Sequence, residues 1–154
     1  MTLNMEFPDA EATVAWAIRE AEIPDLDGVY SSIPSKAFSQ DGPQTIVVVN
    51  RIGGPPAEPH SLDNPSMQIS TWAPTKSIAH DVAQAARVAV HDLSGQTVGV
   101  TDDGAPVACT VAGVVDSMGM SNVPDPNSKR DRYIFGVRLW TRTPAAGAYD
   151  PGSS

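Results

Sequence analysis

His60 and Asp63 lie close together in a loop rich in glycine and proline, and both side-chain types ligate metals. Two ligands without a third make a weak site, and the loop needs no metal to account for it. His80 and His91 are eleven residues apart. On one helix face that is about 16 Å, too far to share an ion, and a solvated stripe accounts for both. Cys109 is the only cysteine, so there is no internal disulfide. It falls on the apolar face of a strand pattern, where a buried inert thiol is expected rather than a nucleophile. Asp102-Asp103 precede Gly104 and are accounted for by a hairpin turn. The segment Arg51-Ile-Gly-Gly-Pro55-Pro56 follows a strand, as a phosphate-binding loop would. No helix pattern starts after it, and the prolines remove donors a phosphate would need. Gly-x-Ser-x-Gly is absent, so there is no hydrolase elbow. Lys129-Arg130-Asp131-Arg132 is a solvated charged loop end by default and an intermolecular salt-bridge site on the sharper reading. No catalytic residue, metal or cofactor is assigned on these residues, and a non-enzyme is expected.

The elements that must position these residues follow from pattern. The first helix is expected over 9–22, with Asp9 as N-cap and a stripe of Val14, Ala17, Ile18 and Ala21. Trp16 lies off that stripe and calls for a second contact. Ile23-Pro24 stops the helix. Residues 29–33 read as a short edge strand ended by Pro34. Thr45–Asn50 is a strand apolar on both faces, and 51–65 is a loop. Met67–Trp72 is a strand with Met67 and Ile69 on one face and Gln68 and Ser70 on the other. The clearest helix spans Thr75 to Leu93. Its apolar face is Ile78, Val82, Ala85, Ala86, Ala89 and Leu93, and Gly95 closes it in the left-handed region. Burying the larger of these side chains is worth roughly 1.5–3 kcal/mol each. Thr97–Thr101, the Asp103-Gly104 turn and a strand over 106–116 form a hairpin. A loop is expected over 117–130, and the last strand over 131–142. The fold class is α+β: a four- to five-stranded, largely antiparallel sheet with two helices packed on one face. Residues 1–8 read as an N-terminal arm with Phe7 free to tuck in, 9–143 as one domain, and 144–154 as a flexible tail.

Composition sets the wider bounds. The chain has 154 residues, 41% apolar and 18% charged, which suits one folded domain. A net charge of −8 argues against a surface that grips nucleic acid. It still permits a protein that lets DNA pass. No apolar run approaches a membrane span, and Met1–Asp9 carries acids without Lys or Arg, unlike a signal peptide.

The two last strands carry the sharpest inference. In 131–142, Tyr133, Phe135, Val137 and Leu139 form the core face. The other face carries Arg132, Ile134, Gly136, Arg138, Trp140 and Arg142. In 106–116, Val107, Cys109, Val111 and Val115 share one face, and Ala108, Thr110, Ala112 and Val114 the other. A second face holding tryptophan and arginines with little Lys or Glu has the composition of a protein interface. The plain alternative is a partly wet face with its arginines paired within the chain, and composition leaves both open. The candidate contact set is Arg51, Lys129, Arg130, Arg132, Arg138, Trp140 and Arg142. A basic patch on an acidic protein fits an acidic partner, including another copy of the chain. A head-to-tail contact of that kind closes a ring when the rotation allows.

The order of segments adds a resemblance. An N-terminal helix precedes Val-Val-Val-Asn-Arg-Ile-Gly-Gly, then Asp63-Asn-Pro65 and the strand Met67-Gln-Ile-Ser-Thr-Trp72-Ala73. An Ala-rich helix, a Gly-containing hairpin and the strand Arg-Tyr-Ile-Phe-Gly-Val-Arg-Leu-Trp follow. Over about residues 9–143 this resembles the tail terminator (tail completion) proteins of phages with long non-contractile tails, lambda-type. The resemblance implies a structural virion protein that forms a hexameric ring on the last ring of the tail tube. Its implied partners are other copies of itself, the major tail tube protein and the head–tail connector (stopper or adaptor). DNA would pass through the ring without sequence-specific binding. The implied place is the head-proximal end of the tail, after assembly in the host cytoplasm. The net negative charge would keep the pore from holding DNA by its phosphates if acids such as Asp102, Asp103 or Asp125 face it, and loops 51–65 and 117–130 are long enough to reach the neighbouring rings. Neighbouring neck proteins are of similar size. From another class, a small ligand-binding or enzymatic domain with a site near His60 and Asp63 is the alternative.

Overall fold

A computed structural model describes residues 10–54, 63–102 and 105–142. The expected arm 1–8 with Phe7, the Asp9 cap, His60, the Asp103-Gly104 turn and the 144–154 tail lie outside the described residues.

Helix α1 spans Ala10–Glu20, followed by strands β1 (Gly28–Tyr30), β2 (Ile46–Gly53) and β3 (Ser66–Ala73), helix α2 (Lys76–His91), and strands β4 (Thr97–Asp102), β5 (Ala105–Asn122) and β6 (Asp131–Arg142). The strands form one six-stranded sheet in the order β1-β2-β3-β6-β5-β4. This corrects the expected four to five strands. The edge strand expected at 29–33 joins the sheet as the three-residue β1, which pairs parallel to β2 through Val29 and Val47. Every other pairing is antiparallel. Strands β4 and β5 pair up to Asp102 and Ala105, so two residues join them.

Both helices lie on one face of the sheet. Val14 and Ile18 of α1, Val82 and Val90 of α2, and Val47, Ile69, Phe135 and Leu139 of the sheet share one buried cluster. Trp16 is only partly buried, yet it packs against this same cluster. Helix α2 opens as its sequence requires: the Thr75 hydroxyl accepts from the Ile78 N–H at 3.2 Å. It ends at His91, short of the expected Leu93, with Asp92 as a right-handed C-cap whose N–H donates to the Val88 carbonyl; Gly95 at φ 84° lies in the following turn and its N–H donates to the Val111 carbonyl at 2.7 Å. The buried stripe is rotated from the expected one. Ala79, Ala83 and Val90 are fully covered, because the helix leans towards β3 and β6 around Tyr133 and Ala73.

Strand β5 departs most from its expected form. Val111 pairs with Thr141 and Gly113 with Trp140, so Ala112 is an extra residue. A bulge moves every later side chain to the opposite face. Val114 therefore packs against the core cluster and sits opposite Leu139. Val115 is 45% exposed and sits opposite Arg138, the reverse of the alternating assignment. Further register shifts near Met118 let the strand continue to Asn122. The expected 117–130 loop thus shrinks to 123–130, and β2 likewise extends through Arg51 and Ile52 to Gly53.

Candidate functional site

The face of the sheet opposite the helices is divided in two. One half is closed by the chain itself. Ile46, Val48 and Trp72 are buried there under Tyr30 at the end of β1 and Ala37 and Phe38 from the segment that links β1 to β2. Segment 123–130 locks the same region. The buried Asp125 carboxylate accepts from the Trp72 indole N–H at 2.9 Å, the Ser128 hydroxyl at 2.8 Å and the Asn127 N–H at 3.0 Å. Burial pushes the Asp125 pKa up, but these hydrogen bonds and the charge of Arg132 outweigh it and hold the carboxyl below its ordinary value. The Arg132 guanidinium lies 5.6 Å from the centre of the Trp72 ring and donates to the Val123 carbonyl at 2.9 Å. Arg130 stands over the Phe38 ring at 5.1 Å and donates to the Gln44 side chain.

The other half is open. On β6, Ile134 and Trp140 are half-buried, while Arg138 and Arg142 are exposed. Beside them on β5 stand Val115 and Met118, which is 42% exposed. Cross-strand register explains the juxtaposition: Val115 faces Arg138, Met118 faces Gly136 and Ser121 faces Ile134. A side chain at Gly136 would meet Ser117 Oγ at 2.7 Å and Met118 Cβ at 3.2 Å, so glycine lets β5 press close at this point. Trp140 is oriented from below. With the Asn64 amide turned to satisfy both groups, its oxygen accepts from the Trp140 indole N–H at 3.2 Å and its nitrogen donates to the Leu139 carbonyl at 3.1 Å.

The seven candidate contact residues therefore fall into two groups. Arg138, Trp140 and Arg142 share the open half. Arg130 and Arg132 serve the closed half, and Lys129 is exposed on its rim with φ 58°. Arg51 lies apart from both. Its guanidinium grips the buried Asp63 carboxylate in a two-pronged pair at 2.8 and 3.1 Å, and its own N–H donates to Glu11 at 3.0 Å. The plain reading of paired arginines thus describes Arg51, Arg130 and Arg132. Val115 escaped sequence reasoning because the bulge reverses the alternation, with Gly113 beside it as the available signal, and Met118 because the strand was expected to end at 116.

Two other expectations need correction. Asp125 is 8% exposed and its carboxylate is engaged by three donors of the same chain, which does not suit the pore-facing acid considered for it. Asp63 is 1% exposed, and besides Arg51 its Oδ1 accepts from the Asn64 N–H at 3.0 Å. A ligand site built on Asp63 would have to break this set. On the helix side, Asp116 accepts from both Arg87 and His91, and the Arg87 hydrogen bond holds its carboxyl below the ordinary value. His80 instead meets the Tyr133 ring edge-on at 5.4 Å. Burial raises the Cys109 thiol pKa, as an inert core cysteine requires. Among the described residues no three His, Cys, Asp or Glu side chains gather as a metal site, and no helix is long and apolar enough to cross a membrane.

No protein-family model matches the chain. No curated protein matches it either. Among solved structures, a chain from "Virion of native gene transfer agent (GTA) particle" is similar at 18% identity and a TM-score of 0.44, covering 86% of this chain and 87% of that one.

Proposed function

We propose that this chain is a structural protein of a phage virion, a tail terminator that assembles as a ring, in the expected form a hexamer, on the end of the tail tube. The observation that carries the reading is the half-open sheet face. Segments 31–44 and 123–130 bury Ile46, Val48 and Trp72 on one side of it, yet leave Val115, Met118 and two arginines exposed beside the half-buried Trp140 on the other. A face left in that state has the aromatic and arginine composition of a protein contact. The segment order over residues 9–143 that resembles tail terminators supports the same role.

On this reading the partners are other copies of the chain, the tail tube protein and the head–tail connector. The ring sits at the head-proximal end of the tail, assembled in the host cytoplasm. DNA passes through it, and the net charge of −8 keeps phosphates from being held. The role needs no cofactor and no catalytic group.

The test is a size measurement on the purified protein, alone and with tail tubes. The expected result is a ring bound at one end of the tube. Arg138→Asp with Trp140→Ala should abolish assembly and leave the monomer folded. Assembly that survives both changes would remove this face from the interface. Binding to the head connector with no affinity for tubes would mark a neck protein instead.

A further inference from the structure

The open sheet face has a counterpart on the other side of the molecule. Where the C-terminal half of α1 runs beside the C-terminal half of α2, two adjoining grooves of about 310 and 210 Å³ share Ala21, Ala89 and Asp92 as lining. Their floor is apolar: Ile23 and Pro24 after α1, Ala85 and the 50%-exposed Val88 on α2. The charged residues that line them are both acids, Glu20 and Asp92. The basic side chains nearby are occupied elsewhere. Arg19 donates to the Val29 carbonyl at 2.7 Å, and Arg87 is held by Asp116.

We propose that the occupant of this groove is the open sheet face of a second copy of the chain. Charge complementarity selects it: an apolar strip bearing Arg138 and Arg142 meets an apolar groove bearing Glu20 and Asp92. The two surfaces lie on opposite faces of the sheet, since both helices pack on one side and Arg138 and Trp140 stand on the other. A contact between them is head-to-tail. It leaves each copy with one unused half of the contact, so it propagates rather than stopping at a two-fold dimer, and closes into a ring where the rotation between copies allows. The inference rests on the ring reading above and adds the surface that receives the sheet face.

Two charge-reversed chains test it. In one, Arg138→Glu and Arg142→Glu give an acidic strip facing an acidic groove. In the other, Glu20→Lys and Asp92→Lys give a basic groove facing a basic strip. All four positions are exposed or half-exposed, and lysine near a helix C-terminus is compatible with the helix dipole, so each chain should unfold at the wild-type midpoint. Each variant alone should need roughly tenfold or more higher concentration to assemble. An equal mixture should assemble as wild type does, because every contact in an alternating ring is again complementary. Assembly of either single variant at wild-type concentration would overturn the pairing while leaving the ring reading intact. Loss in both variants without rescue in the mixture would overturn it too, as the two surfaces would then meet other partners. If only removal of 1–9 or 143–154 alters assembly, the chain's own ends fill the groove and the inference fails. Absence of any wild-type assembly, with or without tubes, would remove the ring reading and this contact with it.

Discussion

Asp125→Ala should be among the most disruptive single changes outside the apolar core. The carboxylate stands at the join between segment 123–130 and the closed half of the sheet face, with three donors at 2.8–3.0 Å. Hydrogen bonds to a charged group contribute about 1.5–3 kcal/mol each when taken singly, and they are not additive here. Their shared loss also leaves the Trp72 N–H buried and unsatisfied, a cost of about 1–3 kcal/mol. A total of about 3 kcal/mol follows, which for a chain of this size lowers Tm by roughly 6–12 °C. Ser128→Ala removes one donor and should cost about 1 kcal/mol. Urea unfolding followed by tryptophan fluorescence reads both changes, since the Trp72 indole makes the bond. The pH dependence has a definite sign. The folded pKa of Asp125 lies below its unfolded value of about 3.9, so its contribution is complete above that pH. That contribution is lost as pH falls through the folded pKa, and the gap between wild type and variant should narrow there. A variant within about 0.5 kcal/mol of wild type at pH 7 would refute the assignment of Asp125 as the anchor of this face.

Arg51→Ala should destabilise the fold by about 3 kcal/mol in denaturant titration, because it strands the buried Asp63 carboxylate; the half-exposed guanidinium places the cost at the low end of the usual range. Gly54→Ala should cost about 2–3 kcal/mol in the same titration. Gly54 has φ 120°, and an added Cβ would lie 2.3 Å from the Asn64 carbonyl oxygen. Asp116→Asn, by contrast, removes a half-exposed pair with Arg87 and His91 and should change stability by less than about 1 kcal/mol. A larger loss would mean that the pair holds β5 against α2.

Strand β6 was legible in the sequence because it contains no irregularity: its faces alternate strictly from Asp131 to Arg142, and period two is all the reading needs. The start of helix α2 was legible from Thr75, a local signal that acts within a few residues, while its end falls at His91, two residues before the expected Leu93. Strand β5 was not legible, since one extra residue at Ala112 reverses the facing of the residues up to the next register shift, after Asp116, and leaves the local propensities unchanged. Its continuation past Asp116 was hidden by Gly119, Pro124 and Pro126, which read as loop, although pairing with β6 holds the chain extended to Asn122. The edge strand β1 was legible but not as an addition to the sheet count, because three residues give little periodicity. Asp125 looked like a free loop acid because its partner Trp72 lies 53 residues away. Arg130 and Gln44 are 86 residues apart, equally beyond any local pattern. The candidate surface was therefore half visible: Arg138 and Trp140 from alternation, Val115 and Met118 only from the register.

The most direct test of the ring reading is to image tail tubes of the same genome, capped by this protein, and measure the mass added at the tube end. The expected result is a closed ring of about six chains at one end of each tube, lost when Arg138→Asp and Trp140→Ala are combined. A protein that stays monomeric in the presence of tubes and leaves their ends bare would contradict it.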